Sequence, residues 1–391
     1  MVRSAVIVDA VRTPLGQRHG KLQGWHPVEL AAFTLRSLVQ RNQLDPALID
    51  DVIMGCVMQV GEQALNIGRN AVLGAGFPES VPSTTVDRQC GSSQQAIHFA
   101  AQGVMAGAYD IVIAAGVESM SRVPVGASVA TGTGTPFSPS LIDRYGPVGG
   151  LQPQGIGAEL IAARWGISRE DCDRYSVSSH HRAAQAATEG RFDREIVAVE
   201  VKTGRGTEWF RADEGVRADA SAASLSRLRP AFRPDGIVTS ANAGRIADGA
   251  AAVLIMSEAK ATEFGLRPIA RFHTFAVAGV DPVTMLTGPI AATAKALAKS
   301  GLDVADFDVI EVNESFAAVV LAWEKELHPD MTRVNINGGA IAIGHPLGCS
   351  GARVLATLLW ELDRRGGRYG LQTMSEGGGM ANAMIIERLS D

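Results

Sequence analysis

Apolar side chains along this chain of 391 residues alternate between two arrangements. Some form short runs rich in Val and Ile; others recur every three or four positions. The first kind predicts buried strands at SAVIVDA from Ser4, at Asp51 to Val57 and at Asp110 to Gly116. It does so again at Phe192 to Val201, Ala250 to Ile255, Pro268 to Ala278 and Phe307 to Val312, then at Tyr369 to Ser375 and Ala381 to Arg388. The second kind predicts helices. One covers Pro27 to Gln40, where Val28, Leu30, Leu35, Leu38 and Val39 share a face. Others cover Asn66 to Ala75 with Arg69, a run from Ala96 to Met105, Pro289 to Lys299, Phe316 to Leu327 and Arg353 to Glu361. Strand and helix alternating in this way imply a mostly parallel sheet covered on both faces.

The pattern lapses from Arg122. Residues 123 to 155 are rich in Gly, Ser, Thr and Pro and poor in long apolar side chains, which marks a functional segment or a domain excursion. A helix resumes near Ser168, where Ser168 and Asp171 fit a capping box and Gly190 supplies a stop. His180 and His181 on it read as a packed or solvated face, since no ligand partner stands at i+4. From Arg211 to Arg233 the chain is locally basic, either a solvated face or a surface for phosphates. Thr239 to Met256 reads as a loop, a short helix start and a strand that returns to the first domain.

An internal echo organises these elements. DVIMGCV at Asp51 parallels DVIEVNE at Asp308, and DIVIAAGVES at Asp110 parallels YGLQTMSEG at Tyr369. The turn and helix after Cys90 parallel the loop and helix after His345. Two copies of one α/β unit would bring Cys90, His345 and Ser375 to matching loop ends, where ligands bind in such sheets.

Composition narrows the class. A formal net charge of −5 disfavours a nucleic-acid surface, and no run is apolar enough to span a bilayer. We read no signal or transit peptide at MVRSAVIVDAVRTP and no peroxisomal tripeptide in ERLSD. Cys56, Cys90, Cys172 and Cys349 form no CxxC pair, which fits a reducing compartment, and so we expect a cytoplasmic protein without a zinc site.

Among the cysteines, Cys90 in VDRQCGSSQQA stands out. It sits where a turn enters a helix, a place whose free N–H groups and dipole favour a thiolate, and Gly91 leaves room for a backbone or ligand to approach. A second stretch, NINGGAIAIGHPLGCSGAR, sets His345 in a glycine-rich loop; a third is TMSEGGGMA from Thr373. With VNESF from Val312 and the opening VIVDAVRTPLGQRHGKL, these motifs strongly resemble the thiolase family, the acyl-CoA C-acyltransferases, over essentially the whole chain.

That resemblance implies a duplicated, layered αβαβα fold with an inserted loop domain. Residues 1–121 with 245–267 would form one half, 122–244 the loop domain and 268–391 the other half. It implies that Cys90 accepts the acyl group as a thioester and that His345 takes its proton. Asn313 would hold a water in a first oxyanion hole; the N–H groups of Cys90 and Gly377 would form a second. It implies coenzyme A as a substrate, with Arg217, Ser224 and Gly244 at its contacts. It further implies no metal or redox cofactor, no nucleic-acid partner, and assembly as a homodimer or homotetramer.

The chain also departs from the family pattern. Ser375 stands where the family has a second cysteine that handles the proton of the departing or attacking carbanion, and a hydroxyl is a far weaker acid. Three readings stand open: an engineered variant, a natural enzyme with altered chemistry, or Cys349 as substitute. Gly244 replaces a common serine, and Ser315 replaces the usual alanine after Asn313 and Glu314. Glu62, Glu118 and Glu376 read as structural or surface residues. The leading expectation is thiolysis of a 3-oxoacyl-CoA or the reverse condensation; the alternative is a catalytically impaired acyl-CoA-binding subunit. A ketoacyl-synthase type of condensing enzyme is disfavoured, since it would want a second histidine where Asn313 stands.

Overall fold

The computed structural model describes residues 3–390 apart from 131, 133 and 205. The first half runs β1 (Ala5–Arg12), the short β2 (Gly16–Gln17), α1 (Pro27–Arg41), β3 (Asp51–Gly55), α2 (Ile67–Gly74), β4 (Ser83–Val86), α3 (Ser92–Ala106) and β5 (Ile111–Ser119). An excursion follows with α4 (Pro139–Tyr145), α5 (Gln154–Arg164), α6 (Arg169–Thr188), the hairpin β6 (Val199–Thr203) and β7 (Gly206–Phe210), and α7 (Ala222–Leu225). The chain returns through β8 (Ala247–Ser257) and α8 (Glu258–Glu263). The second half is β9 (Ala270–Gly279), α9 (Gly288–Ser300), β10 (Val309–Val312), α10 (Ala317–Leu327), α11 (Ser350–Arg365), β11 (Tyr369–Glu376) and β12 (Met380–Arg388).

The strands lie in the order β10-β11-β12-β9-β1-β8-β5-β3-β4, with β2 on β8. Only β3 with β4 and β5, and β10 with β11, pair in parallel; the other named pairs are antiparallel. The expectation of a mostly parallel sheet is therefore corrected to a mixed one. The reason is visible at the turn between β11 and β12, where Gly378 and Gly379 take positive φ and reverse the chain in three residues. A connection that short makes an antiparallel neighbour, whereas a parallel one needs a long crossover.

The duplication is explicit in the order. The first half reads β4-β3-β5-β8-β1 from its edge, and the second reads β10-β11-β12-β9 with Val334 bridged in parallel to Ile310 where β4 would lie. In each copy the edge segment leads into a central helix, α3 or α11. These two helices pack on each other between the half-sheets, around a core that includes Ile97, Ala100, Val104, Leu355 and Leu359. Outside them, α1 and α2 cover the first half-sheet and α9 covers the second, with α10 packed on α9, α5 and α6. This is the layered αβαβα arrangement.

Some local expectations are corrected. Phe192 to Glu195 is turn, Ile196 makes a single bridge to Arg12, and only Val199–Thr203 is strand. No helix starts between Thr239 and Ile246. The stretch read as irregular holds α4 and the beginning of α5. The capping box at Ser168 and Asp171 is present as predicted.

Candidate active site

Cys90 ends a tight turn. Gln89 lies in the left-handed region at φ 49°, and the hydroxyl of Ser92 accepts from the Arg88 N–H at 2.9 Å and donates to the Gln89 carbonyl at 2.6 Å. A side chain rarely accepts positive φ; the local hydrogen bonds hold it there and swing β4 sharply into α3. Gly91 caps the helix. The space a side chain would occupy on Gly91 is not open to a ligand, contrary to expectation. A Cβ there would lie 2.1 Å from Glu376 Oε1 and 2.8 Å from Asn382 Nδ2.

The expected thiolate is corrected as well. Cys90 is buried, and burial pushes its thiol up to about 12; a hydrogen bond from the Gln154 side chain pulls the other way, and the charge of Glu376 adds to the rise. Desolvation of the anion outweighs the helix terminus here. At rest Cys90 is a thiol, so to act as a nucleophile it would need a base to take its proton.

His345 is built for that task. Its Nδ1 lies 2.7 Å from Ser350 Oγ, and the Ser350 hydroxyl donates to the Pro346 carbonyl at 2.9 Å. With its one proton so used, Ser350 accepts from His345 Nδ1–H. The neutral ring therefore carries its lone pair on Nε2, which is buried and has no hydrogen-bond partner. Burial, aided by Arg353, holds the ring down at about 3, so it stays neutral across the physiological range.

The two turns are clamped together. Ala352 N–H donates to Ser93 Oγ at 2.9 Å, and a Cβ on Gly351 would lie 2.2 Å from the Gln94 nitrogen, so the starts of α3 and α11 touch backbone to backbone. Glu118, at the end of β5, ties the His345 loop to β3. It accepts from the N–H groups of Val57, Met58 and Gly348 at 2.9–3.0 Å and from Gln63 Nε2 at 2.7 Å.

The remaining predicted residues gather around this pair. Asn313 Nδ2 donates to Ser315 Oγ at 3.0 Å, Ser315 Oγ lies 2.9 Å from Ser375 Oγ, and Asn313 Oδ1 is buried without a partner. Glu314 fixes their loop by accepting from Tyr175, Ser179 and the Ile341 N–H at 2.8–3.0 Å. A Cβ on Gly377 would stand 3.0 Å from Gln89 Oε1 and 3.1 Å from Gln154 Nε2, beside the nucleophile turn. One on Gly244 would meet the Glu314 carbonyl at 3.0 Å and His345 Cβ at 3.2 Å.

Arg217 and Ser224 lie farther out. They line a cavity of about 350 Å³ with His180, Asp219, Ala241 and Arg245, and Arg245 directly follows Gly244. His180 Nδ1 accepts from the Arg217 N–H at 3.2 Å. Cys349 is fully buried among the apolar residues between the half-sheets, and burial pushes its thiol up to about 12. Glu62 is a surface residue paired with Arg122, as read; Glu118 and Glu376 are buried. Sequence reasoning passed over Gln154, Ser350, Arg245 and the cavity face of His180. Ser350 stood inside the quoted loop, five residues after His345; Gln154, in the irregular stretch, carried no signal.

Family models match twice: "Thiolase, N-terminal domain" over residues 5–259 and "Thiolase, C-terminal domain" over residues 266–388. The chain is 50% identical to the steroid 3-ketoacyl-CoA thiolase FadA6 of Mycobacterium tuberculosis, over 100% of this chain and 95% of that protein. It is 45% identical to the acetyl-CoA acetyltransferase of Chromobacterium violaceum over 98% and 99% of the two chains. Its fold superposes on the crystal structure of human mitochondrial 3-ketoacyl-CoA thiolase with a TM-score of 0.91, at 37% identity over 99% and 100% of the chains. With both halves matched and the same architecture throughout, this chain belongs to the thiolase family.

Proposed function

We propose that the chain is an acyl-CoA C-acyltransferase that cleaves a 3-oxoacyl-CoA with coenzyme A, or runs the reverse condensation, through a thioester on Cys90. The observation that carries this reading is the state of the base: His345 is neutral, with Nδ1–H committed to Ser350 and Nε2 free. Cys90 attacks the 3-oxo carbonyl carbon while Nε2 receives the thiol proton. The C2–C3 bond then breaks, the acyl group stays on sulfur as a thioester, and the departing acetyl-CoA carbanion takes a proton, the task of position 375. The N–H groups of Cys90 and Gly377, with a water held by Asn313, serve as donors to the oxygens that gain charge, each worth several kcal/mol in sites of this kind.

Coenzyme A enters along the excursion, residues 122–244, with Arg217 and Ser224 in their cavity and Gly244 beside His345 at its inner end. Its positive charge comes from Arg217 and Arg245, and guanidinium groups suit phosphate oxygens. The protein works in the cytoplasm, as a homodimer or homotetramer, with coenzyme A as substrate and no resident cofactor. Given the relative that acts on steroid 3-ketoacyl-CoA, the substrates to try first are bulky degradative 3-oxoacyl thioesters.

Ser375 divides the cycle. Acyl transfer to Cys90 from a plain acyl-CoA, which breaks no carbon–carbon bond, is partly retained, while the carbon–carbon cleavage that needs proton transfer at position 375 is slow. A panel of 3-oxoacyl-CoA substrates, short, long and ring-bearing, with coenzyme A tests the reading. Acyl-CoA release and a mass increase on the Cys90 peptide support it; a chain that is neither acylated nor turns over any member of the panel overturns it.

A further inference from the structure

Glu376 is fully buried, and neither of its carboxyl oxygens has a hydrogen-bond partner. It ends β11 and rests on the Cα of Gly91: a Cβ built there would lie 2.1 Å from Oε1 and 2.8 Å from the carboxyl carbon. Successive strand residues point to opposite faces, so the contact of Ser375 with Ser315 and that of Glu376 with the nucleophile turn belong to opposite sides of β11. Glu376 is thus no substitute for the missing cysteine; it stands behind Cys90. The groups facing it are few. From the turn before α3 come Asp87, Arg88 and Cys90, and from β12 the neutral Asn382, whose Nδ2 donates to the Gly91 carbonyl at 3.1 Å. Arg88 Nε is likewise buried without a hydrogen-bond partner.

A carboxylate left unbonded in such a place is costly, whereas a neutral acid is tolerated. We propose that Glu376 is a positioning residue for acylation, a carboxyl group that packs the nucleophile turn as a neutral acid and, once ionised, opposes the charge that develops on the Cys90 sulfur. In that step the S–H bond breaks, its proton passes to His345 Nε2, and the sulfur pair forms the bond to the acyl carbon as the carbonyl π pair moves onto its oxygen. A negative carboxylate behind Gly91 raises the energy of the sulfur charge. Burial pushes the Glu376 carboxyl up to about 8, with Arg88 pulling it down and Asp87 up, which places the change within reach of ordinary buffers. The inference rests on the reading of Cys90 as nucleophile.

Alkylation of Cys90 by iodoacetamide, followed by peptide mass spectrometry from about pH 6.5 to about pH 9.5, tests it in wild type and Glu376→Gln. The rate for the Gln variant divided by the wild-type rate should grow by about tenfold across that range, the size of one pKa unit at the thiol. In wild type alone, the logarithm of the rate should bend downward near pH 8 relative to its course below about pH 7, so the test survives a variant that fails to fold. A constant ratio, or a wild-type profile without that bend, overturns the inference while leaving Cys90 as nucleophile. Labelling that bypasses Cys90 for another cysteine overturns the functional reading itself.

Discussion

Ser315 and Ser375, sixty residues apart in sequence, meet at 2.9 Å through their hydroxyls, and Asn313 donates to Ser315 at 3.0 Å. Both serines depart from the family pattern, and the structure makes them one feature. The hydroxyl at position 375 is held in a neutral hydrogen-bonded relay with Ser315 and Asn313. A thiol there would be a far better proton carrier. Ser375→Cys is expected to raise the complete thiolysis cycle by about 10²-fold or more, in line with the usual contribution of general acid–base groups. Acylation of the Cys90 peptide by a plain acyl-CoA, which breaks no carbon–carbon bond, should change much less. Steady-state turnover compared with single-turnover acylation measures both, and a serine form as fast as the cysteine form would remove the assigned role.

Ser350 decides which nitrogen of His345 carries the proton. Ser350→Ala removes the acceptor of Nδ1–H and leaves a buried donor unpaired. Acylation should fall by about 10- to 100-fold, the wrong tautomer becoming accessible. The far-ultraviolet circular dichroism should not change. Ser350→Thr, which keeps the hydroxyl, should recover part of the rate; an alanine variant with full acylation would contradict the assignment.

Three buried histidines contribute to the acid limb of stability, opposed by buried carboxyls such as Glu376, which burial raises. Burial lowers His98 and His345 to about 3 and His180 to about 4, each below the value of an unfolded chain. Between those values the unfolded state binds more protons than the folded one, so stability rises with pH. The contribution is present above about pH 6.5 and is lost as pH falls toward 4 and then 3. Urea titrations at about pH 7, 6 and 5 should show progressively steeper loss, and His98→Leu should flatten it. An acid limb unchanged in that variant would show that His98 is not a neutral buried group.

Arg217 tests the outer cavity. Arg217→Ala should weaken coenzyme A more than dephospho-coenzyme A, because a charge-assisted phosphate contact is worth more than its packing. Calorimetric titration of both ligands measures the difference. Equal losses would assign Arg217 to the solvated surface, and Arg245→Ala would then be the variant to compare.

Much of the site was legible because its chemistry is concentrated in short segments. Cys90 and His345 stand in glycine-flanked turns and Ser375 near the end of a strand that runs into Gly377, and the echo between the halves places them at one end of the sheets. The mixed sense of the sheet was less legible. Val-rich and Ile-rich runs look alike in parallel and antiparallel neighbours, and only the length of the connection separates them. The excursion was least legible, since α4 is seven residues long with no buried face and α5 begins inside a stretch dominated by Gly, Ser, Thr and Pro.

The sequence by itself determined the residue types, the duplicated strand-helix order and the family, because periodicity and motif spacing are local and survive without coordinates. Only the tertiary structure decided the states of those residues. Cys90 is a thiol and not a thiolate because the folded chain takes it out of water. His345 presents Nε2 because Ser350 has already given its proton to Pro346. Cys349 packs into the core between the half-sheets because it caps the start of α11. Ser315 reaches Ser375 because β10 and β11 lie side by side. Solvation and hydrogen-bond partnership depend on groups distant along the chain, and packing alone brings them together.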